Sequence, residues 1–112
     1  MSEQKIVKAV VEALNCSGLA KVWRNQSGCV KVAGGFMHLA PKGSPDIIGY
    51  TLRGARFIGI EVKRPKGYTN PDQVKVQTEW REKLLAAGAI AGQVTSVDEA
   101  IELVRGARTE VA

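Results

Sequence analysis

The chain has 112 residues, which suits one domain able to bury its own core without disulfides or a structural metal, and leaves no room for two. At 45% hydrophobic residues it is not a disordered segment. Sixteen Lys and Arg against eleven Asp and Glu give a formal charge of +5, which points toward a polyanionic partner without identifying one.

Ile6, Val7, Val10, Val11 and Leu14 recur at helical spacing, so residues 3–15 are expected to form a helix with Ser2 as its N-cap, ended by Asn15 to Gly18. Lys21–Asn25 and Cys29–Val32 read as two short strands of a hairpin around Gln26-Ser27-Gly28. Residues 33–44 read as a glycine-rich loop holding Pro41 and His38, the sole histidine. Asp46–Thr51 and Arg56–Lys63 have the strongest strand character, with a turn at Arg53-Gly54 between them. Pro65 stops the second, and Lys66–Thr69 is a polar connection. Asn70-Pro71 starts a helix that runs to about Ala87 and ends at Gly88. Ala89–Thr95 is a last strand, and Ser96-x-x-Glu99 caps a final helix to about Arg105. The order α-β-β-β-β-α-β-α describes an α/β fold, a mixed sheet flanked by helices, with no repeat or linker.

Cys16 and Cys29 show neither C-x-x-C spacing nor a histidine cluster and read as free thiols of a reducing compartment. No apolar run is long enough to span a membrane, and the first helix lacks the compact apolar core and cleavage site of a signal peptide. A cytoplasmic location is therefore expected. Gly34-Gly35 is not followed by the rest of a P-loop, so nucleotide hydrolysis is unsupported, and no zinc-finger, RRM or KH pattern occurs.

The chemistry concentrates in GSPDIIGY and GIEVKRP. Side chains alternate along a strand, so Ile58, Ile60 and Val62 point one way while Glu61 and Lys63 share the other face. An isolated Glu-x-Lys is ordinarily a solvated ion pair. Here Pro45-Asp46 opens the preceding strand, which brings two carboxylates together near one lysine, a hard oxygen site suited to Mg²⁺ or Mn²⁺. The lysine can polarise an attacking water or stabilise charge developing on a phosphate.

Pro45-Asp46 followed by Glu61-x-Lys63 resembles the PD-(D/E)XK nuclease superfamily. The wider set resembles its VRR-NUC family, in the small stand-alone form of phages and bacteria: a leading helix with an early Glu, Trp23-Arg24-Asn25 before Ser27-Gly28, GSPD, EVKRP, and Gln77 followed by Trp80. Archaeal Holliday junction resolvases are similar over the same core. The resemblance implies one nuclease domain over residues 1–112 with a restriction-endonuclease-like α-β-β-β-α-β core. It implies that Asp46, Glu61 and the backbone carbonyl of Val62 bind the divalent metal and that Lys63 is the catalytic lysine. The reaction it implies is metal-dependent hydrolysis of a DNA phosphodiester, leaving a 5′-phosphate and a 3′-hydroxyl.

Helix phase separates the two glutamates of the first helix. Glu3 falls at the centre of the arc set by Ile6, Val7, Val10 and Leu14, whereas Glu12 lies opposite, beside Lys5 and Lys8, as an exposed i, i+4 pair would. Glu3 is therefore the expected further acid, acting on the metal through a water; fraying of a terminus is its bland alternative. Gln77 lies within the stripe of Val74, Trp80, Leu84 and Leu85, where a buried amide needs a partner. The family reading has it orient Lys63 or a metal-bound water; the alternative is a core-edge amide bonded to backbone.

Arg24, Lys31, Lys42, Arg53, Arg56, Arg64 and Lys66 gather in segments around this site and could line a phosphate-tracking groove. Arg24, Lys42 and Arg64 are preferred as DNA-binding residues, since each adjoins a motif. A lone loop histidine such as His38 is ordinarily exposed, against a role as base or phosphate contact. Trp23 and Trp80 are expected in the core rather than as base-stacking platforms. Together these expectations describe a structure-selective endonuclease acting as a homodimer on branched DNA, four-way junctions foremost. Symmetric resolution needs two centres about a two-fold axis, and no insertion is expected to interrupt the core. A flap or nicking endonuclease, and a catalytically silent DNA-binding module, are the alternatives.

Overall fold

The computed structural model describes residues 2–26, 29–65 and 70–110, the side chains at 29, 38 and 107–110 excepted. Elements follow in the order α1 (Glu3–Ser17), β1 (Ala20–Arg24), β2 (Cys29–Val32), β3 (Gly35–His38), β4 (Ile47–Thr51), β5 (Phe57–Val62), α2 (Pro71–Ala86), β6 (Ile90–Val94) and α3 (Val97–Glu110). Both expected N-caps on α1 and α2 form: Ser2 accepts from the Lys5 amide and Asn70 from the Asp72 amide. Ser96 likewise accepts from the Glu99 amide at the start of α3.

The main sheet has strand order β1-β4-β5-β6, antiparallel except for the parallel β5–β6 pair that α2 connects. It is a mixed sheet with helices on both faces. Ile47, Ile58, Ile60 and Val62 are at most 1% exposed and meet Val10, Leu14 and Val104 on the side of α1 and α3. The other face carries Gly59 and Glu61 beneath α2, where a Cβ on Gly59 would lie 2.8 Å from Leu84 and 3.0 Å from Pro45. Among the described residues no helix is long and apolar enough to cross a membrane.

Three expectations change. Strand β1 does not pair with β2; it pairs with β4, Val22 opposite Gly49 and Arg24 opposite Ile47. Residues 33–44 are not wholly a loop, because Gly35–His38 forms β3 and closes a separate two-stranded ribbon with β2. The turn is Ala33-Gly34, and Gly34 adopts φ 89°, open to glycine at no steric cost. That ribbon is an insertion between the first two strands of the main sheet, so the core is interrupted after all. The proposed turn at Ser27-Gly28 and the connection Lys66–Thr69 lie outside the described residues.

The third change concerns the tryptophans. Trp23 is 46% exposed, because its face of β1 lies beyond the reach of α2; its ring meets Tyr50 edge-on at 6.4 Å. Trp80 is half-buried and donates its indole N–H to the Lys42 carbonyl at 3.1 Å. Helix α2 itself is shallow: Gln77 is its buried residue, while Val74 and Leu85 are exposed.

β1 closes against β4 at Gly49, where a Cβ would collide with the Lys21 carbonyl oxygen and stand 2.7 Å from the Val22 Cα. Gly49→Ala is expected to destabilise the fold by about 2–3 kcal/mol. The fall in thermal midpoint, on the order of 10 °C, is measurable by circular dichroism.

Candidate active site

The site is built where three elements end together. Asp46 sits at the entrance to β4, Glu61 and Lys63 at the exit of β5, and Gln77 on the second turn of α2. Chain geometry presents Asp46 firmly. Asn25, just after β1, donates its side-chain amide to the Ser44 hydroxyl and the Pro45 carbonyl, each at 2.9 Å, and its backbone N–H to the Asp46 carbonyl at 2.8 Å. Gly43 then turns at φ 81° against Val76 of α2, where any Cβ would overlap that side chain. The Trp80–Lys42 bond ties the same loop to the helix.

One Asp46 carboxylate oxygen accepts the Val62 amide at 2.8 Å, which fixes the acid across the two strands. Glu61 is 7% exposed, and Gln77, itself 8% exposed, donates to its Oε1 at 2.9 Å. Burial, then the hydrogen bond and the charge of Asp46, push the Glu61 carboxyl from 4.5 up to about 9; the Lys63 ammonium opposes this and Glu3 adds to it. The metal-free centre therefore keeps a proton between two acids. Lys63 is half-buried, with its backbone N–H bonded to the Val94 carbonyl at 2.9 Å.

Asp46, Glu61, Lys63 and Gln77 are thus brought together. Gln77 bonds a carboxylate rather than backbone. Glu3 reaches the group only as a charge: it lies above the buried stripe of α1 and is exposed, so its phase aims it at the centre without burying it. Arg24, Lys42 and Arg64 are exposed on three separate segments around the site. Arg56 instead donates to the Gly88 carbonyl beyond α2, at 2.6 Å. The His38 side chain and Lys66 lie outside the described residues. Asn25 was missed as a positioning residue, although it belongs to the Trp23-Arg24-Asn25 piece; an amide directly after a strand end and before a distant Pro-Asp was its only signal.

A solved structure described as "VRR_NUC domain" superposes on the chain with a TM-score of 0.60 over 92% of this chain and 94% of that one, at 20% sequence identity. The fold is that of a VRR_NUC domain. No family profile and no curated protein matches the sequence itself. The elements α1, β1, β4, β5, α2 and β6 follow in the expected α-β-β-β-α-β order, and the β2–β3 ribbon is set between β1 and β4.

Among the described residues no three His, Cys, Asp or Glu side chains gather as a metal cage. The donors nonetheless suit a hard divalent ion, because Mg²⁺ takes one or two carboxylates and keeps several waters. A buried acid beside a half-buried one, with a proton held between them, is an arrangement that a dication would relieve.

The raised Glu61 fixes a pH dependence. The folded carboxyl holds its proton up to about pH 9, whereas the unfolded one releases it near 4.5. Its contribution to stability is complete below that lower value and is lost as pH rises toward the upper one. In EDTA the thermal midpoint is expected to fall by several degrees between about pH 5 and pH 9, and Glu61→Gln to flatten that fall. Parallel profiles for the two proteins would contradict the assignment.

Proposed function

We propose that the protein is a metal-dependent endodeoxyribonuclease that hydrolyses phosphodiesters in branched DNA, four-way junctions foremost, and acts as a homodimer. The observation that carries this reading is the buried Glu61 carboxyl, shared with Asp46, clamped by Gln77 and flanked by Lys63. Asp46, Glu61 and the Val62 carbonyl would hold Mg²⁺ or Mn²⁺, with Glu3 reaching it through water. Held by these residues, a dication would supply a water of lowered pKa and offset charge on the scissile phosphate. Lys63 orients the attacking water or stabilises the phosphate oxygens, and Gln77 and the Val62 amide keep the two acids in place. Arg24, Lys42 and Arg64 track the backbone on either side.

Homodimer formation is supported by the β2–β3 ribbon. A two-stranded ribbon is marginal in water by itself, and this one exposes Val30, Val32, Phe36 and Met37, with Leu39 just beyond it. A second copy packed around the ribbon would cover these side chains, Val30 and Met37 on one face and Phe36 on the other, and set two centres about a two-fold axis.

The decisive measurement is cleavage of end-labelled duplex, flap and four-way DNA with Mg²⁺, Mn²⁺ or EDTA. Metal-dependent cutting that favours the junction is expected, with Asp46→Asn and Lys63→Ala each slower by about a hundredfold or more. Equal cutting of all three substrates would remove the junction preference, and binding without cutting would favour a silent DNA-binding module.

Light scattering at micromolar concentration is expected to give twice the 12.0 kDa of one chain. Phe36→Asp with Met37→Asp is expected to shift it to the single-chain mass. A wild-type monomer would refute the dimer.

A further inference from the structure

A cleft of about 470 Å³ lies between α1 and the end of β1, outside the carboxylate centre. Gln4, Lys5, Lys8 and Glu12 form its helical wall, Arg24 faces them from β1, and Val7 lines it between. At 1.5 Å per residue the helical wall is about 12 Å long. Sequence phase assigned Lys5 and Lys8 to a solvated pair with Glu12. Among the described residues, however, the ion pair formed is Arg105–Glu102, and neither lysine nor Arg24 has a charged partner. Three exposed cations without an ion-pair partner among the described residues thus face one carboxylate across an open cleft whose floor includes the buried Val7.

The cleft adjoins the carboxylate centre through the chain at both sides. Gln4 follows Glu3, whose charge reaches Glu61, and Arg24 precedes Asn25, which holds the Asp46 loop. The cleft lies on the α1 side of the sheet, whereas Glu61 faces α2 on the other side, so a polyanion that engages both passes around the edge strand β1.

We propose that the α1–β1 cleft is a second phosphate-binding subsite, which takes the sugar-phosphate backbone of the same DNA a short distance from the cut. Lys5, Lys8 and Arg24 neutralise consecutive phosphates, and Glu12 limits how tightly they are held. The inference rests on the nuclease reading for its ligand, but it concerns binding alone.

The test measures binding of a fluorescent four-way junction in an Asp46→Asn background, so that the DNA stays intact, between about 50 and 200 mM salt. Lys5→Ala with Lys8→Ala is expected to weaken binding about tenfold and to lower the slope of log K against log salt by about 2. Glu12→Gln removes the opposing charge and is expected to tighten binding about threefold. Circular dichroism of each variant checks that it is folded. Unchanged affinity and slope in both variants, with the parent still binding DNA, would overturn the subsite and leave the nuclease reading intact. A parent that binds no DNA, beside a wild type that cuts none with Mg²⁺, would overturn both.

Discussion

A buried acid, Glu61, held beside the half-buried Asp46 sets the terms for this structure. The Asp46 and Glu61 carboxyls come from adjacent antiparallel strands and share a proton in the metal-free state, with the Glu61 pKa raised to about 9. Such a pair is unfavourable by itself, and the surrounding fold is arranged to tolerate it. The Val62 amide satisfies one acid and the Gln77 amide the other. Lys63 offsets part of the charge, and the ordering of the Asp46 loop falls to Asn25, Gly43 and Trp80. No buried side-chain polar atom among the described residues is left without a partner. These bonds hold the two carboxyls in fixed positions whether or not a cation joins them.

The parts of this arrangement that depend on periodicity were legible in the sequence. Alternation along β5 separates the Ile58, Ile60 and Val62 face from that of Glu61, and helix phase puts Gln77 inward on α2. Ser2, Asn70 and Ser96 mark helix starts by their own hydrogen-bonding chemistry. What failed was pairing and coverage. Which strand lies beside β1 is decided by contacts between distant segments, and the nearest candidate, β2, was the wrong one. The turn at Ala33-Gly34 was hidden among neighbouring glycines. Trp23 is expected in the core, yet its exposure depends on how far across the sheet α2 reaches, which no local pattern records.

The edge strand β1 shows how local and global demands are reconciled. Asn15 of α1 both donates to the Val22 carbonyl, at 2.9 Å, and accepts from the Val22 amide, at 2.7 Å, so one side chain takes the place of a neighbouring strand there. This satisfies backbone that would otherwise invite pairing with another chain.

The Gln77–Glu61 bond spans the crossover between two parallel strands, while Asp46 reaches Val62 across the hairpin before it. The Asp46–Val62 bond needs only the β4–β5 hairpin, whereas the Gln77–Glu61 bond also needs α2 docked on the sheet. A chain still emerging from the ribosome, or one opened locally at α2, carries every residue of the proposed centre and yet cannot assemble it. Whatever chemistry the centre performs is then confined by topology to completed molecules.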